Sequence, residues 1–182
     1  MRRIDTNLPG VCIIEPMVFG DERGFFFESY NADAFQRLGI ATAWVQDNHS
    51  RSARGVLRGL HCQIGAHAQD KLVRVVVGRV YDVAVDVRRT SPTFGRWVGV
   101  ELSAANKRML LVPRGFAHGF LALADGTEFL YKCSAPYHPP SERGVAWDDP
   151  ALGIAWPLDG IVPTLSARDR AWPTLAMAGE LG

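Results

Sequence analysis

The amino-acid sequence predicts an all-β fold, either a barrel or a sandwich of short strands. Strand signals recur about every 8–12 residues between residues 55 and 133, which is typical of such folds. The 182 residues include 18 glycines and 11 prolines, a share that favours many turns over long helices. Residues 80–87 alternate in polarity, as expected for a half-buried strand. One face carries Tyr81, Val83, Val85 and Val87, and the other carries Asp82, Ala84 and Asp86.

The elements before this region are a strand, a turn, a second strand and a helix. Residues 11–14 are apolar and residues 25–30 are rich in aromatic side chains, so both predict strands. The charged and glycine-containing cluster at 20–24 predicts the turn between them. Residues 31–39 predict one short helix, because the segment starts with an asparagine suited to the N-cap and ends with a glycine suited to a C-terminal stop.

The remaining strands follow one another between clear turn signals. The valine-rich segment 71–77 leads through the Gly78-Arg79 turn into the alternating segment. The tail from Pro136 is rich in proline and tryptophan and is predicted to be irregular, with a short helical turn near 166–170. We treat residues 1–182 as one domain. Further strands are predicted at 97–102, 108–112, 120–124 and 127–133, separated by Ser91-Pro92, Ala105-Asn106 and residues 113–115.

Composition excludes several classes of protein. The formal net charge of +1 argues against nucleic-acid binding by bulk charge, so any anion site must be local. No apolar stretch is long enough to span a bilayer, and the N-terminus has no apolar core of a signal peptide. The three cysteines show no metal-binding spacing and suggest no disulfide framework. A protein of the reducing cytoplasm, without a nucleic-acid or membrane partner, is expected.

Two stretches carry the first functional signal. One runs from Arg58 through His61 to Lys71, and the other spans residues 113–120. Together they resemble the two motifs of the cupin barrel, which predicts a cupin-type double-stranded β-barrel (jelly roll) with a short helix and an irregular C-terminal segment. A metal-binding cupin would need a second histidine at position 63, which is Gln63 here. The lysine stands where an acidic ligand would align and repels a divalent ion, so no metal is expected.

Without a metal, the predicted cavity holds His61, Lys71 and His118. A neutral imidazole beside a cation suits removal of a proton next to a carbonyl group, because the cation stabilises the enolate oxygen. An epimerase also needs an acid on the opposite face of its substrate, and Tyr131 ends a strand that could line the same barrel. The base needs an orienting carboxylate, for which Asp169 is a candidate.

The chain also resembles the dTDP-4-dehydrorhamnose 3,5-epimerase family of nucleotide-sugar enzymes over nearly its full length. The order and spacing of the matching segments are specific, whereas each segment alone would be weak. They include Asp21-Glu22-Arg23-Gly24-x-Phe26-x-Glu28, Gln46-Asp47-Asn48-x-Ser50, Arg58-Gly-Leu-His61-x-Gln63, Gln69-x-Lys71, Asp82-Val-Ala-Val-Asp86, Pro113-x-Gly-Phe-Ala-His118, Tyr131-Lys132, Trp147-x-Asp149-Pro150 and Ser166-x-Arg168-Asp169.

This resemblance implies a role for each site residue. His61 is the expected general base, held by Asp169, while Tyr131 is the general acid and Lys71 holds the charge on the C4 oxygen. The resemblance also implies a homodimer without cofactors, in which the partner subunit contributes to each nucleotide site. The expected substrate contacts are Arg23 and Arg58 to the diphosphate, His118 to the sugar, Glu28, Gln46, Asp47 and Asn48 to the nucleotide, Glu142 and Arg168 along the same site, and Phe26 and Tyr137 stacked on thymine.

The expected reaction is epimerisation at C3 and C5 of dTDP-4-dehydro-6-deoxy-D-glucose to dTDP-4-dehydro-L-rhamnose. The alternative is a monoepimerase that acts at C5 or C3 only on a dTDP-4-keto-6-deoxyhexose. Cys62, beside the base, and Asp70, beside the lysine, depart from the family pattern and are expected to tune this choice. A metal cupin and a sugar-binding module without catalysis are weaker alternatives. Asp169 would otherwise cap a helical turn, and Asp82 and Asp86 would be salt-bridged strand residues.

Overall fold

Strands dominate the computed structural model, which describes residues 1–181. Two short α-helices and two 3₁₀ turns, at Gly65–His67 and Pro139–Ser141, connect them. The helices are α1 (Ala32–Arg37) and α2 (Ala167–Arg170). The strands are β1 (Arg2–Asp5), β2 (Cys12–Glu15), β3 (Phe19–Asp21), β4 (Gly24–Phe26), β5 (Gln46–Ser52), β6 (Leu57–Gln63), β7 (Lys71–Val77), β8 (Arg79–Asp86), β9 (Trp97–Ser103), β10 (Met109–Val112), β11 (Phe116–Ala122), β12 (Thr127–Cys133) and β13 (Glu142–Gly144).

The strands form two large antiparallel sheets and one separate hairpin. The first sheet has the order β1-β2-β10-β7-β12-β5, and the second has the order β13-β6-β11-β8-β9. Strands that are distant in sequence are neighbours in both sheets, as in a jelly roll. The hairpin of β3 and β4 pairs with neither sheet. The predicted all-β double-stranded barrel is therefore confirmed.

The inward faces of the two sheets enclose the main core. It is closely packed around Val73, Val80, Leu110, Phe120 and Phe129, each less than 5% exposed. Phe120 and Phe129 stack with ring centroids 4.3 Å apart across the two sheets. Both sheets contribute side chains to this apolar core and also to the polar part of the barrel interior.

Each sheet is covered on its outer face as well. The helix α1 packs Phe35 against the six-stranded sheet, and Asn31 caps this helix by accepting a hydrogen bond from the Ala34 N–H at 3.0 Å. The C-terminal segment covers the five-stranded sheet through Leu152 and Leu175. The tail is irregular as predicted, yet it buries apolar surface that the alternating strand β8 exposes on its outer side.

Several element boundaries differ from those predicted. The aromatic segment predicted as a strand over 25–30 is a strand only in β4, because its single partner is the short strand β3. Strand β11 starts at Phe116 rather than at residue 120, so residues 116–120 of the second motif lie within the strand. The strands β1, β3, β5 and β13 were not predicted, and β3 overlaps the turn predicted at 20–24. Within residues 1–181, no helix is long and apolar enough to cross a membrane.

Candidate active site in the barrel

A cavity of about 530 Å³ lies between the two large sheets, lined by strands of both and by α2. We call it the barrel cavity. A second space of about 280 Å³, the side cavity, adjoins it. The predicted base, cation and acid therefore border one continuous space. The residues that line both cavities are His61, Lys71, Tyr131, Glu142 and Arg168.

An irregularity between β6 and β11 brings two side chains of β6 to the barrel cavity. His61 pairs with His118 and Arg58 pairs with Phe120, so β6 has one residue more than β11 between the two pairs. Residues three apart on a regular strand face opposite sides, and the extra residue places both on the same side. The backbones are very close here, since a Cβ on Gly59 would lie 2.5 Å from the His118 carbonyl oxygen.

His61 has the charge state that a general base requires. Burial in the barrel lowers the pKa of His61 well below its usual value, and the neighbouring Lys71 and His118 lower it further. Burial and nearby positive charge both disfavour the imidazolium form. The ring is therefore neutral at pH 7 and able to accept a proton.

Lys71 and Tyr131 flank the same space from adjacent strands. Lys71 is 6% exposed, and burial lowers its pKa, although the carboxylates of Glu142 and Asp82 work in the opposite direction. Burial raises the pKa of Tyr131, so the phenol keeps its proton at neutral pH. The site thus combines a neutral base, a buried cation and a protonated acid.

Asp169 lines the barrel cavity together with His61. Its hydrogen bonds go to Ser166, whose hydroxyl donates to the Asp169 carboxylate at 2.9 Å and accepts from the Asp169 N–H at 3.1 Å. Ser166 is the N-cap of α2, so the two side chains hold each other at the start of the helix. The orienting role of Asp169 toward His61 stays a prediction.

Asp82 is a cavity partner that sequence reasoning missed. His118, which lines the barrel cavity, places its Nε2 2.9 Å and 3.1 Å from the two carboxylate oxygens of Asp82. Asp82 is fully buried, and burial raises its pKa while the nearby His118 and Lys71 lower it. Asp86, on the same face, instead binds Arg88 at 2.7 Å. The alternation of β8 identified both as one face but not which partner each would meet.

Three of the residues predicted to contact the nucleotide or its base, Gln46, Asn48 and Tyr137, line the side cavity. The Tyr137 hydroxyl donates to Glu142 at 3.2 Å and accepts from the Arg168 guanidinium at 3.0 Å, while Arg168 also pairs with Glu142. Gln46 accepts from the Tyr137 N–H at 2.9 Å and donates to Asn48 at 2.9 Å. These five polar side chains form one connected network.

Gln63 stands where a metal cupin would carry its second histidine, and it has a structural function. Its amide oxygen accepts from the His138 N–H at 2.6 Å, and its amide nitrogen donates to the Pro136 carbonyl at 3.4 Å. The side chain thereby fastens the loop that carries Tyr137. Among the described residues, no three His, Cys, Asp or Glu side chains are grouped so that they could hold a metal ion.

Four predicted contacts line neither the barrel cavity nor the side cavity. Arg23 and Phe26 line a shallow cleft of about 340 Å³ on the β3–β4 hairpin, where the arginine pairs with Asp21. Glu28 accepts a hydrogen bond from the Asn31 side chain at 2.9 Å. Asp47 is 2.9 Å from the Lys132 ammonium, at the edge of a smaller cavity that Tyr131 and Asn48 also line.

Two residues that were expected to tune the reaction face other parts of the molecule. Cys62 points into the outer core of the five-stranded sheet, where its thiol lies 3.4 Å from the Leu181 carbonyl oxygen. Asp70 binds Arg114 through the guanidinium at 3.1 Å and the N–H at 2.9 Å. Neither side chain lines the barrel cavity or the side cavity, and for Cys62 the reason is that successive residues of a strand face opposite sides. Their effect on which carbon is epimerised stays a prediction.

Comparison with known proteins places this chain in a well-defined group. The family model described as dTDP-4-dehydrorhamnose 3,5-epimerase matches residues 5–177. The dTDP-4-dehydrorhamnose 3,5-epimerase of Salmonella typhimurium is 58% identical over 176 residues, which are 96% of each chain.

Solved structures of sugar epimerases are also similar to this chain over most of its length. The crystal structure of dTDP-6-deoxy-D-glucose-3,5-epimerase from Legionella pneumophila, in complex with dTDP-4-keto-L-rhamnose, has a TM-score of 0.93 and 51% identity, covering 97% of this chain and 93% of that one. A 3'-monoepimerase from Streptomyces bikiniensis, in complex with dTDP-quinovose, is more distant. It has a TM-score of 0.89 and 39% identity, covering 94% of this chain and 86% of that one.

Proposed function

The chain belongs to the dTDP-4-dehydrorhamnose 3,5-epimerase family, and we infer that it inverts C3 and C5 of dTDP-4-dehydro-6-deoxy-D-glucose to give dTDP-4-dehydro-L-rhamnose. One observation carries this inference: the relatedness extends over 96% of a chain whose barrel cavity is lined by His61, Lys71 and Tyr131. Among the solved structures, 51% identity to a 3,5-epimerase against 39% to a monoepimerase favours action at both carbons.

The proposed chemistry starts from the acidity of the C–H bonds next to the C4 keto group. His61 accepts the proton and becomes an imidazolium, and the electron pair of the broken bond moves onto the C4 oxygen as an enolate. The Lys71 ammonium stabilises that oxygen. Tyr131 then donates its proton to carbon from the opposite face and becomes a phenolate. Exchange with solvent returns the proton to the phenolate and removes the one on the imidazolium.

We assign Asp169 as the residue that orients the imidazole and stabilises its charged form. Both side chains border the barrel cavity, and a carboxylate on one ring nitrogen makes the other a better base. The present hydrogen bonds of Asp169 to Ser166 leave its outer oxygen Oδ1 as the atom for this contact. No metal or organic cofactor enters this scheme, because the keto group of the substrate supplies the acidity.

The nucleotide is proposed to lie along the side cavity. Tyr137 offers a ring for stacking on thymine, while Gln46 and Asn48 contact the nucleoside. Arg58 contacts the diphosphate, for which the guanidinium fork is well suited. The Glu142–Arg168 pair borders both cavities and is positioned to contact the sugar–phosphate junction.

We further propose a homodimer in which the β3–β4 hairpin of each subunit completes the partner's site. Phe25 and Phe26 are 63% and 67% exposed, and exposed neighbouring aromatic rings are typical of contact surfaces. Docking of this hairpin on the side cavity of a second copy would bury the rings. It would also bring Arg23 to the diphosphate and Glu28 to the nucleotide, which one chain by itself does not do.

Mixing two inactive variants tests this shared site. Arg23→Ala removes the contribution of the hairpin, and His61→Asn removes the base of the barrel. If the hairpin acts on the partner, a heterodimer has one intact site of two, so an equal mixture regains about a quarter of wild-type activity after subunit exchange. A mixture that stays inactive despite proven exchange would refute the shared site.

The proposed reaction is tested by solvent exchange. The purified protein is incubated with dTDP-4-dehydro-6-deoxy-D-glucose in D₂O, the keto sugar is trapped by reduction, and deuterium is located by NMR. Deuterium with inversion at both C3 and C5 supports the proposal. Label and inversion at one carbon only would favour the monoepimerase, and no exchange by folded protein would exclude the enolate mechanism for this substrate.

We propose that residues 1–182 work as one domain in the cytoplasm. One apolar core is shared by both large sheets, which supports cooperative folding of the whole barrel. Cys12, Cys62 and Cys133 are buried free thiols, and such thiols persist in a reducing compartment. Fractionation of the native host, with detection of the protein by antibody, tests the location.

A further inference from the structure

A buried aspartate–histidine pair borders the barrel cavity, and none of the proton transfers above uses it. Asp82 on β8 and His118 on β11 lie on adjacent strands, with Asp82 opposite Phe120 and His118 opposite Ala84. Their side chains are 0% and 6% exposed. A buried carboxylate is strongly destabilising unless it accepts hydrogen bonds and is balanced by positive charge, so Asp82 needs such partners nearby.

The hydrogen bond determines which nitrogen of His118 faces the substrate. Nε2 lies 2.9 Å and 3.1 Å from the Asp82 carboxylate oxygens. An ionised carboxylate only accepts hydrogen bonds, so Nε2 carries the proton whether the ring is neutral or charged. This leaves Nδ1 as the ring atom that His118 offers to the barrel cavity.

Asp82 also contributes to the charge balance around Lys71. The titratable and charged groups that act on this lysine or on the neighbouring His61 are His118, Asp82, Glu142, Cys62, Cys133, Arg58 and Arg168. Of the two carboxylates that act on the lysine, Glu142 is already paired with Arg168. Asp82, hydrogen-bonded to His118, is the other carboxylate that acts on Lys71.

We propose that Asp82 is a positioning residue for the enolate: it fixes the orientation of His118, with Nδ1 toward the sugar, and maintains the positive charge of Lys71 at the C4 oxygen. This inference rests on the proposed function. It differs from the role of Asp169, which concerns the base His61. Asp82 acts through two neighbours and does not itself touch the substrate.

Asp82→Asn tests the charge with little change of shape. The amide oxygen can still accept from His118 Nε2, but the negative charge is gone. We expect kcat to fall about 10²-fold with a change in KM of less than about threefold, as for loss of one group that stabilises an oxyanion. The alkaline limb of the profile of kcat/KM against pH should move to lower pH, because Lys71 without its anion releases its proton more easily.

Asp86→Asn is the matched control. Asp86 lies four residues further along the same face of β8, is equally buried, and is held by Arg88, Ser91 and Thr93 outside the cavity. We expect this variant to be less stable but to keep the wild-type kcat and pH profile. The inference is overturned if Asp82→Asn also keeps both, or if the two variants lose activity only in proportion to unfolded protein.

The His118 tautomer provides a test that needs no variant. In wild-type protein with ¹⁵N-labelled histidine, His118 should carry its proton on Nε2, and a neutral ring with the proton on Nδ1 would overturn the inference. The same preparation is assayed for formation of dTDP-4-dehydro-L-rhamnose. A wild type without turnover refutes the proposed function, whereas an active wild type with an unaffected Asp82→Asn variant refutes only the role of Asp82.

Discussion

Replacing Gly59 by alanine should disable the site without touching any group that reacts. The added Cβ would lie 2.5 Å from the His118 carbonyl oxygen and 2.6 Å from the Gly119 Cα, and the residue has φ +108°. Relief of these contacts requires β6 and β11 to separate by about 1 Å, since ordinary contacts of this kind exceed about 3.4 Å. Overpacking of this size lowers the free energy of unfolding by about 1–3 kcal/mol. A side chain at this positive φ lowers it by about 1–2 kcal/mol more.

The control isolates the steric part. Gly160 also has a positive φ, +79°, but a Cβ there has nothing within 4 Å, so Gly160→Ala should lose only the conformational share. For a chain of this size, about 1 kcal/mol corresponds to a fall in Tm of about 2–4 °C. The two shares for Gly59→Ala sum to about 2–5 kcal/mol, so we expect a fall of about 4–20 °C for this variant and about 2–8 °C for Gly160→Ala, measured by scanning calorimetry.

Activity separates the two variants further. Because the residue shift between β6 and β11 brings Arg58 and His61 to the cavity, its distortion moves the base relative to Tyr131 and Lys71. A displacement of about 1 Å lowers catalysis by about 10²-fold, so kcat/KM should fall by this factor in Gly59→Ala and stay at the wild-type value in Gly160→Ala. Equal Tm and equal kcat/KM in the two variants would refute the reasoning.

Three further outcomes are expected. Because burial and Lys71 lower the pKa of His61, the acid limb of kcat/KM should lie below the ordinary histidine value of about 6.5, and a limb above 6.5 would contradict this. Tyr131→Phe should lower kcat about 10²–10⁴-fold while the solvent-exchange assay still detects deuterium at carbon, since His61 is intact; loss of both signals in folded protein would argue against separate acid and base. Burial alone would raise the pKa of Asp86, but hydrogen bonds from Arg88 and its neighbours lower it to about 2 from 3.8, so its charge stabilises the fold by about 2 kcal/mol above pH 4 and this share disappears between pH 4 and 2. Urea unfolding of Asp86→Asn against wild type should show that difference at pH 7 and little at pH 2, and a difference independent of pH would exclude this origin.

The strand β5 shows why part of the fold was not predicted. Its sequence is almost entirely polar, and its residues alternate between half-buried and exposed. Apolar periodicity finds a strand only where the inward face is apolar, whereas Asn48 and Ser50 face the cavities. The functional use of the strand therefore removed the signal by which it would be recognised. By contrast, β7 and β12 match their predicted ranges because their inward residues pack in the apolar core.

The candidate site was likewise predicted from the sequence only in part. The motifs identified His61, Lys71 and His118, and these side chains do border one cavity. The sequence did not reveal that His118 meets Asp82, a residue 36 positions away. Nor did it reveal that Asp70 binds Arg114 rather than lining the cavity. Each of these facts depends on the register between two strands rather than on either strand alone.

The sequence by itself determined the class of fold, the N-cap of the first helix, the alternation of β8 and the family of the protein. These features depend on neighbours within a few residues, or on the order of motifs along the chain. Only the tertiary structure decided that Arg58 and His61 share one side of β6, that Asp82 pairs with His118, and that the hairpin with Arg23 lies apart from the barrel cavity of its own chain. The physical reason is that the pairing of strands determines which side chains are in contact across a sheet. A shift of one residue in that pairing reverses the side that every following residue faces.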